Sequence, residues 1–207
     1  MNHTTTSPSQ LLETIRIKDG AIKHLQYHQT RANEAALEIW QQPAPNLNQL
    51  LENEQIPQEG VWRCRIIFDQ EQQSVTFTPH QARPVSSLKI VYDNEIDYHL
   101  KWLQREAIDQ LFVQRETCDD ILIVKNNYIT DTSIANLIFW DNQKWLTPHQ
   151  PLLNGTCRQR LINTGFLHEA EIKINNLSLF KKIGFINALI DENNIPVIDI
   201  SESEIRF

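Results

Sequence analysis

The chain has 207 residues, 41% hydrophobic and 22% charged, with a formal net charge of −7. That composition suits a soluble globular protein of one large domain or two small ones. The acidic balance argues against a general nucleic-acid-binding surface, though not against a small anion in a local basic pocket.

No apolar run nears the ~20 residues needed to span a bilayer. The opening MNHTTTSPSQ lacks the apolar core of a secretory leader, so residues 1–10 read as a polar tail. Cys64, Cys118 and Cys157 have no metal-type spacing. An odd cysteine count without an export signal fits reduced thiols and a cytoplasmic location. The histidines show no metal spacing either, and no P-loop or dinucleotide fingerprint is present. No metal site is expected.

In chain order, Leu12 to Ile17 reads as a strand and Lys18-Asp19-Gly20 as a hairpin turn returning through Ile22 to Leu25. A helix is predicted over Arg31 to Trp40, with Ala32, Ala35, Ala36 and Ile39 on one side. A short helix over Leu47 to Glu54 follows, then paired strands at Val61 to Phe68 and Ser74 to Thr78. Cys64 reads as a packing residue in the first of these. Ser87 to Tyr92 is a further strand, and the polar stretch Asp93 to Tyr98 marks a domain boundary. Leu100, Leu103, Ala107, Ile108, Leu111 and Phe112 recur at helical spacing, which predicts a helix from Leu100 to Gln114. Ile121 to Val124 is a strand.

The stretch Asn126 to Arg160 carries the densest set of signals. Asn126-Asn127 is a turn pair, and Tyr128 to Thr130 and Leu137 to Trp140 are strand-like. A turn at Asp141-Asn142 separates the latter from Trp145 to Thr147. Asn154-Gly155-Thr156 opens a helix whose first backbone N–H groups suit an anion. That helix is expected over Arg158 to Asn163, with a stop at Gly165. A strand at Glu169 to Ile174, a short helix at Asn176 to Lys182, the apolar run Phe185 to Leu189 and a last strand at Ile195 to Ile200 complete the chain.

The order of several motifs resembles the class IV aminotransferase family, which binds pyridoxal phosphate (PLP). These are Leu12-Glu13-Thr14-Ile15-Arg16, the Asp19-Gly20 turn, His28 with Arg31, Thr130-Asp131-Thr132, Ala135-Asn136-Leu137, Leu-Thr-Pro, and Leu-Leu-x-Gly-Thr-x-Arg. The resemblance runs from about Leu12 to Val197. Lys101-Trp102-Leu103-Gln104-Arg105 and Asn187-Ala188-Leu189 resemble patterns of aminodeoxychorismate lyase within that family.

The resemblance implies an α+β fold of the D-amino-acid-aminotransferase type. A small α/β domain would span residues 11–94, and a larger β-barrel-like domain, residues 95–207, would include a Lys101 helix. It implies that Lys101 is the lysine bonding covalently to PLP and that Asp131 faces the pyridine nitrogen. It implies that Arg31, the backbone N–H groups of Thr156 and Cys157, and the loop at Asn187 hold the phosphate. The expected activity is that of a lyase yielding 4-aminobenzoate and pyruvate. The alternatives are an aminotransferase of branched-chain or D-amino acids and a non-catalytic PLP-binding homologue. A small amine substrate and a homodimer are implied, with neither nucleic acid nor membrane as partner.

Departures from the pattern are Asp131 for the usual glutamate, Gln104 for asparagine and Asn154 for proline. The family's first strands are also missing, so substrate specificity does not carry over. The Cys157 thiol has no histidine partner in the pattern, and it is expected to serve through its backbone only.

Overall fold

The computed structural model describes residues 10–200 and 204–206. The predicted tail lies outside the described residues except for Gln10. The chain divides into two compact units, Met1–Gln81 with Leu100–Gln104, and Ala82–His99 with Arg105–Phe207. Lys101 therefore belongs to the first unit, in sequence between two parts of the second.

In the first unit, β1 (Leu11–Lys18) and β2 (Ala21–Ile22) form the predicted hairpin. Asp19 and Gly20 both take positive φ, 48° and 78°, which is the backbone a two-residue hairpin turn requires. α1 (Leu25–Trp40) and α2 (Leu47–Glu52) precede β3 (Val61–Phe68) and β4 (Gln73–Pro79). The antiparallel sheet has the order β2-β1-β3-β4. α1 buries His28, Ala32, Ala35 and Ala36. This stripe of mostly small residues lets the helix lie close to the sheet. Its core partners include Ile15, Ile17, Cys64, Ile66 and Phe68.

α1 starts at Leu25 and not at the predicted Arg31. His24, in the left-handed region, breaks the chain before it, and no side-chain cap marks that start. α2, by contrast, is capped by Asn46, whose side chain accepts from the backbone N–H groups of Asn48 and Gln49.

The expected Leu100–Gln114 helix is corrected. Residues 100–104 form no helix and run beside the start of β1: Leu12 N–H donates to the Lys101 carbonyl at 2.9 Å, and Leu103 N–H donates to the Gln10 carbonyl at 2.8 Å. Trp102 bridges Leu11. β2 pairs only with Ile17 and Lys18, so this segment meets the other end of β1. Leu100 and Trp102 both pack on the first unit's core, an alternation of two rather than a helical repeat.

In the second unit, β5 (Ser87–Tyr92) is followed by α3, which spans only Glu106–Val113. Next come β6 (Asp120–Lys125), β7 (Tyr128–Ile129), β8 (Asn136–Trp140) and β9 (Trp145–Pro148). α4 (Thr156–Asn163) leads to β10 (Leu167–Ala170), β11 (Lys182–Ile186), β12 (Val197–Asp199) and β13 (Glu204–Arg206). Ile174–Leu179 is a 3₁₀ turn where the sequence suggests a strand end and a separate helix.

The strands form two sheets, β10-β9-β8-β11-β12 and β13-β5-β6-β7. The described strands thus build an α+β unit without a closed barrel. Leu88, Leu122, Leu137, Phe139 and Ile183 lie in its main core. Within β6, Ile121 to Val124 is an unbroken buried apolar run, as a strand flanked on both sides tends to be.

Candidate active site

The first unit holds a buried ionic cluster on the core face of β1. Glu13 shares its strand phase with Leu11, Ile15 and Ile17 and is 2% exposed. A carboxylate in that position needs partners, and α1 supplies two of them one turn apart. His28 Nδ1 lies 2.6 Å from Glu13 Oε2, while Arg31 donates from Nε to Oε1 at 2.9 Å and from Nη2 to Oε2 at 2.5 Å. Burial alone would raise the Glu13 carboxyl, but Arg31 and His28 outweigh it and hold it at about 2. Burial lowers His28, with the Glu13 bond opposing; Arg31 and Lys101 add to the lowering. His28 is thus a neutral ring donating to Glu13, a positioning role. Arg31 keeps Nη1 outside the Glu13 pair.

The second unit holds the other part. Asp131 closes a short turn against Asn136, the first residue of β8, and the two are bridged through their backbones. Asp131 Oδ1 accepts from Asn136 Nδ2 at 2.8 Å, and its Oδ2 accepts from Leu153 N–H at 2.9 Å. Burial pushes the carboxyl up to about 6 despite those bonds and the Arg158 charge. A carboxylate has roughly four acceptor positions, so these bonds leave it able to receive another donor.

α4 begins at Thr156, with Gly155 as an N-cap that offers no side chain. Thr156 and Cys157 are both buried. No acceptor among the described residues is bonded to either of their backbone N–H groups. A buried helix start without a cap is a ready anion site. Burial also raises the Cys157 thiol, against the pull of Arg160, so the side chain is no nucleophile at neutral pH.

Asn187 follows β11, and its Nδ2 donates to the Ile134 carbonyl at 3.3 Å while its Oδ1 accepts from Leu189 N–H. That side chain ties its loop to the Asp131 turn. Of the residues singled out from sequence, Asp131, Thr156, Cys157 and Asn187 thus share the second unit, and Arg31 and Lys101 share the first.

Glu13, Asn136 and Arg158 stand within the motifs, but sequence reasoning assigns them no role. Glu13 could have been found from a charge at a core-phase strand position, answered by His28 and Arg31 at helical spacing. Asn136 and Arg158 gave no such signal. Arg158 is 3% exposed, donates to Asn154, the Pro148 carbonyl and Glu169, and keeps its Nε buried without a described partner.

The family model described as amino-transferase class IV matches residues 10–197. The chain belongs to the class IV aminotransferase family. An uncharacterized protein of Haemophilus influenzae is 36% identical over 182 residues, covering 86% of this chain and 97% of that one. A crystal structure of a putative 4-amino-4-deoxychorismate lyase from Haemophilus somnus is 34% identical with a TM-score of 0.82, covering 87% of this chain and 96% of that one. An aminotransferase from Brucella abortus, solved bound to PLP, shares the fold at 16% identity and a TM-score of 0.75, covering 98% of this chain and 85% of that one. This class IV chain is thus an enzyme of the aminotransferase-like kind. Among the described residues, no group of side chains is placed to hold a metal, and no helix is long and apolar enough to cross a membrane.

Proposed function

We propose that the chain is a PLP-dependent lyase that converts 4-amino-4-deoxychorismate to 4-aminobenzoate and pyruvate. The observation that carries the cofactor assignment is the pairing, within one unit, of a buried carboxylate and an uncapped, buried helix start. The residues fit the group: an acid with spare acceptor capacity suits a pyridine nitrogen, and free N–H groups suit a phosphate. Gly155 also fits, because a Cβ there would come within 2.0 Å of Asn136 Oδ1, so no side chain can fill that approach.

Bound PLP supplies an electron sink for the charge left when a proton leaves the carbon beside the substrate nitrogen. Asp131, as the carboxylate, holds a proton at the ring nitrogen. The N–H groups of Thr156 and Cys157 bind the phosphate, with Arg31 as a charged donor. Lys101 would hold the cofactor and, as a free amine, would take the proton from the amine-bearing carbon of the substrate. Enolpyruvate then leaves the adjacent carbon and the ring becomes aromatic. The lyase rather than the aminotransferase reading is supported by Lys101 to Arg105, by Asn187-Ala188-Leu189, and by the name of the Haemophilus somnus relative. The same reading makes the chain a homodimer, which light scattering on the eluted protein checks.

The test is to incubate PLP-loaded protein with 4-amino-4-deoxychorismate and follow 4-aminobenzoate and pyruvate. Formation of both supports the lyase. No product, with keto-acid formation from a panel of branched-chain or D-amino acids and 2-oxoglutarate, makes it an aminotransferase. Bound PLP without turnover of any amine makes it a non-catalytic homologue.

A further inference from the structure

We propose that Asn136 is the positioning residue that registers both ends of the cofactor at once, fixing the Asp131 carboxylate and the phosphate-binding loop with one amide. This rests on the PLP reading given above.

Four contacts carry it. Asn136 Nδ2 donates to Asp131 Oδ1 at 2.8 Å and to the Leu153 carbonyl at 2.8 Å. Leu153 N–H returns a bond to Asp131 Oδ2 at 2.9 Å, closing a ring of three residues. On its other side, Asn136 Oδ1 lies so close to Gly155 that a Cβ there would stand 2.0 Å from it. Gly155 has φ −67° and ψ 143°, which any residue adopts, so close approach and not backbone conformation is what requires glycine here.

The amide therefore spans from the acid to the N-cap of α4. Its own backbone is held between Asp131 and Ile186, with Asn187 next in the chain. Asn136 is 6% exposed, and its two amide hydrogens are both spent. A side chain with both donors committed and its acceptor pressed on a glycine has no rotational freedom left, so it transmits position in both directions. The arrangement also bears on the shorter acid at residue 131. A carboxylate clamped through both oxygens is set by its clamps, not by the length of its own side chain.

The consequence is a joint effect. Asn136→Ala removes one hydrogen bond from the charged form of Asp131 and one from the Leu153 carbonyl, and frees Gly155. Loss of one bond to a charged group corresponds to about a tenfold change in binding. PLP affinity, measured by calorimetry, is expected to fall at least about tenfold, and affinity for inorganic phosphate is expected to fall with it. The pH dependence of melting of the protein without cofactor should move to higher pH, because the ionised carboxylate is less well held.

Asn136→Asp is the second variant, which keeps the size of the side chain. At pH 5 its protonated carboxyl can donate to Asp131 in place of the amide, and PLP binding is expected to approach wild type. At pH 8 two carboxylates would face each other, and binding is expected to be lost. Variants that bind both PLP and phosphate like wild type, or an Asn136→Asp protein with no such pH dependence, overturn the proposal. If wild type itself binds no PLP, the cofactor reading fails instead. The melting profiles of the cofactor-free variants then still decide the coupling, since an unchanged profile overturns it and an upward shift supports it.

Discussion

Glu13 binds Arg31 through both carboxylate oxygens, at 2.9 and 2.5 Å, while its second oxygen also receives His28. The residue expected to hold a phosphate is thus oriented by an acid inside the core. Two of its donors, Nε and Nη2, are already used, which aims the guanidinium and leaves Nη1 outside the pair.

The Glu13 carboxyl is held at about 2 against an ordinary 4.5, so its ionised form stabilises the fold. The contribution is fully present above pH 4.5 and is lost as pH falls towards 2. Its size is about 3 kcal/mol. Glu13→Gln should lower unfolding free energy at pH 7 by roughly that amount, and its stability should fall less steeply between pH 4.5 and 2 than that of wild type. Denaturant titrations over that range check both.

Asp131 behaves in the opposite sense. Burial raises it from an ordinary 3.8 to about 6, so ionising it costs the fold free energy. The folded chain binds the proton more tightly than the unfolded one, and stability from this group falls as pH rises from about 4 to about 6. The loss is about 3 kcal/mol. Asp131→Asn should remove this pH-dependent segment from the cofactor-free protein. A donor at the ring nitrogen would hold the carboxylate, so PLP should also flatten the segment in wild type. Melting curves at closely spaced pH, with and without PLP, measure each effect.

The start of α4 permits a substitution that deletes one N–H and little else. Thr156 is the first helical residue, where proline is well tolerated, and Gly155 already has the extended backbone a following proline prefers. Thr156→Pro should leave the helix in place and weaken inorganic phosphate and PLP about tenfold, the worth of one donor to a charged group. Cys157→Ala keeps both backbone donors and should bind phosphate as wild type does. Calorimetry on both variants, with circular dichroism to confirm helix content, makes the comparison.

What the chain revealed in sequence follows from which forces are local. The β1–β2 hairpin was legible because Asp19-Gly20 alone dictates its backbone, and β3, β8 and β9 because β-branched and aromatic runs are bounded by turn residues. Asp131 and the Gly155-Thr156 loop were legible as a motif order.

The conformation of the Lys101 segment was not legible, because its geometry is set from far along the chain. Leu100 and Leu103 fit a helical repeat, yet Leu12 and Gln10 take the backbone bonds of Lys101 and Leu103 into a pairing with the start of β1. Propensity and periodicity cannot register a partner so distant in sequence. Asn136 was equally hidden. Its meaning lies in contacts with Leu153 and Gly155, and only the folded turn brings those together.

The central claim is that Lys101 carries the cofactor, and the most direct measurement is to fix it there. Protein incubated with PLP is reduced with borohydride, digested, and mapped by mass spectrometry. The expected result is a phosphopyridoxyl group on the peptide containing Lys101, absent from Lys101→Ala, which also loses the visible absorbance of bound cofactor. A modification placed reproducibly on a different lysine, or none at saturating PLP, would contradict it.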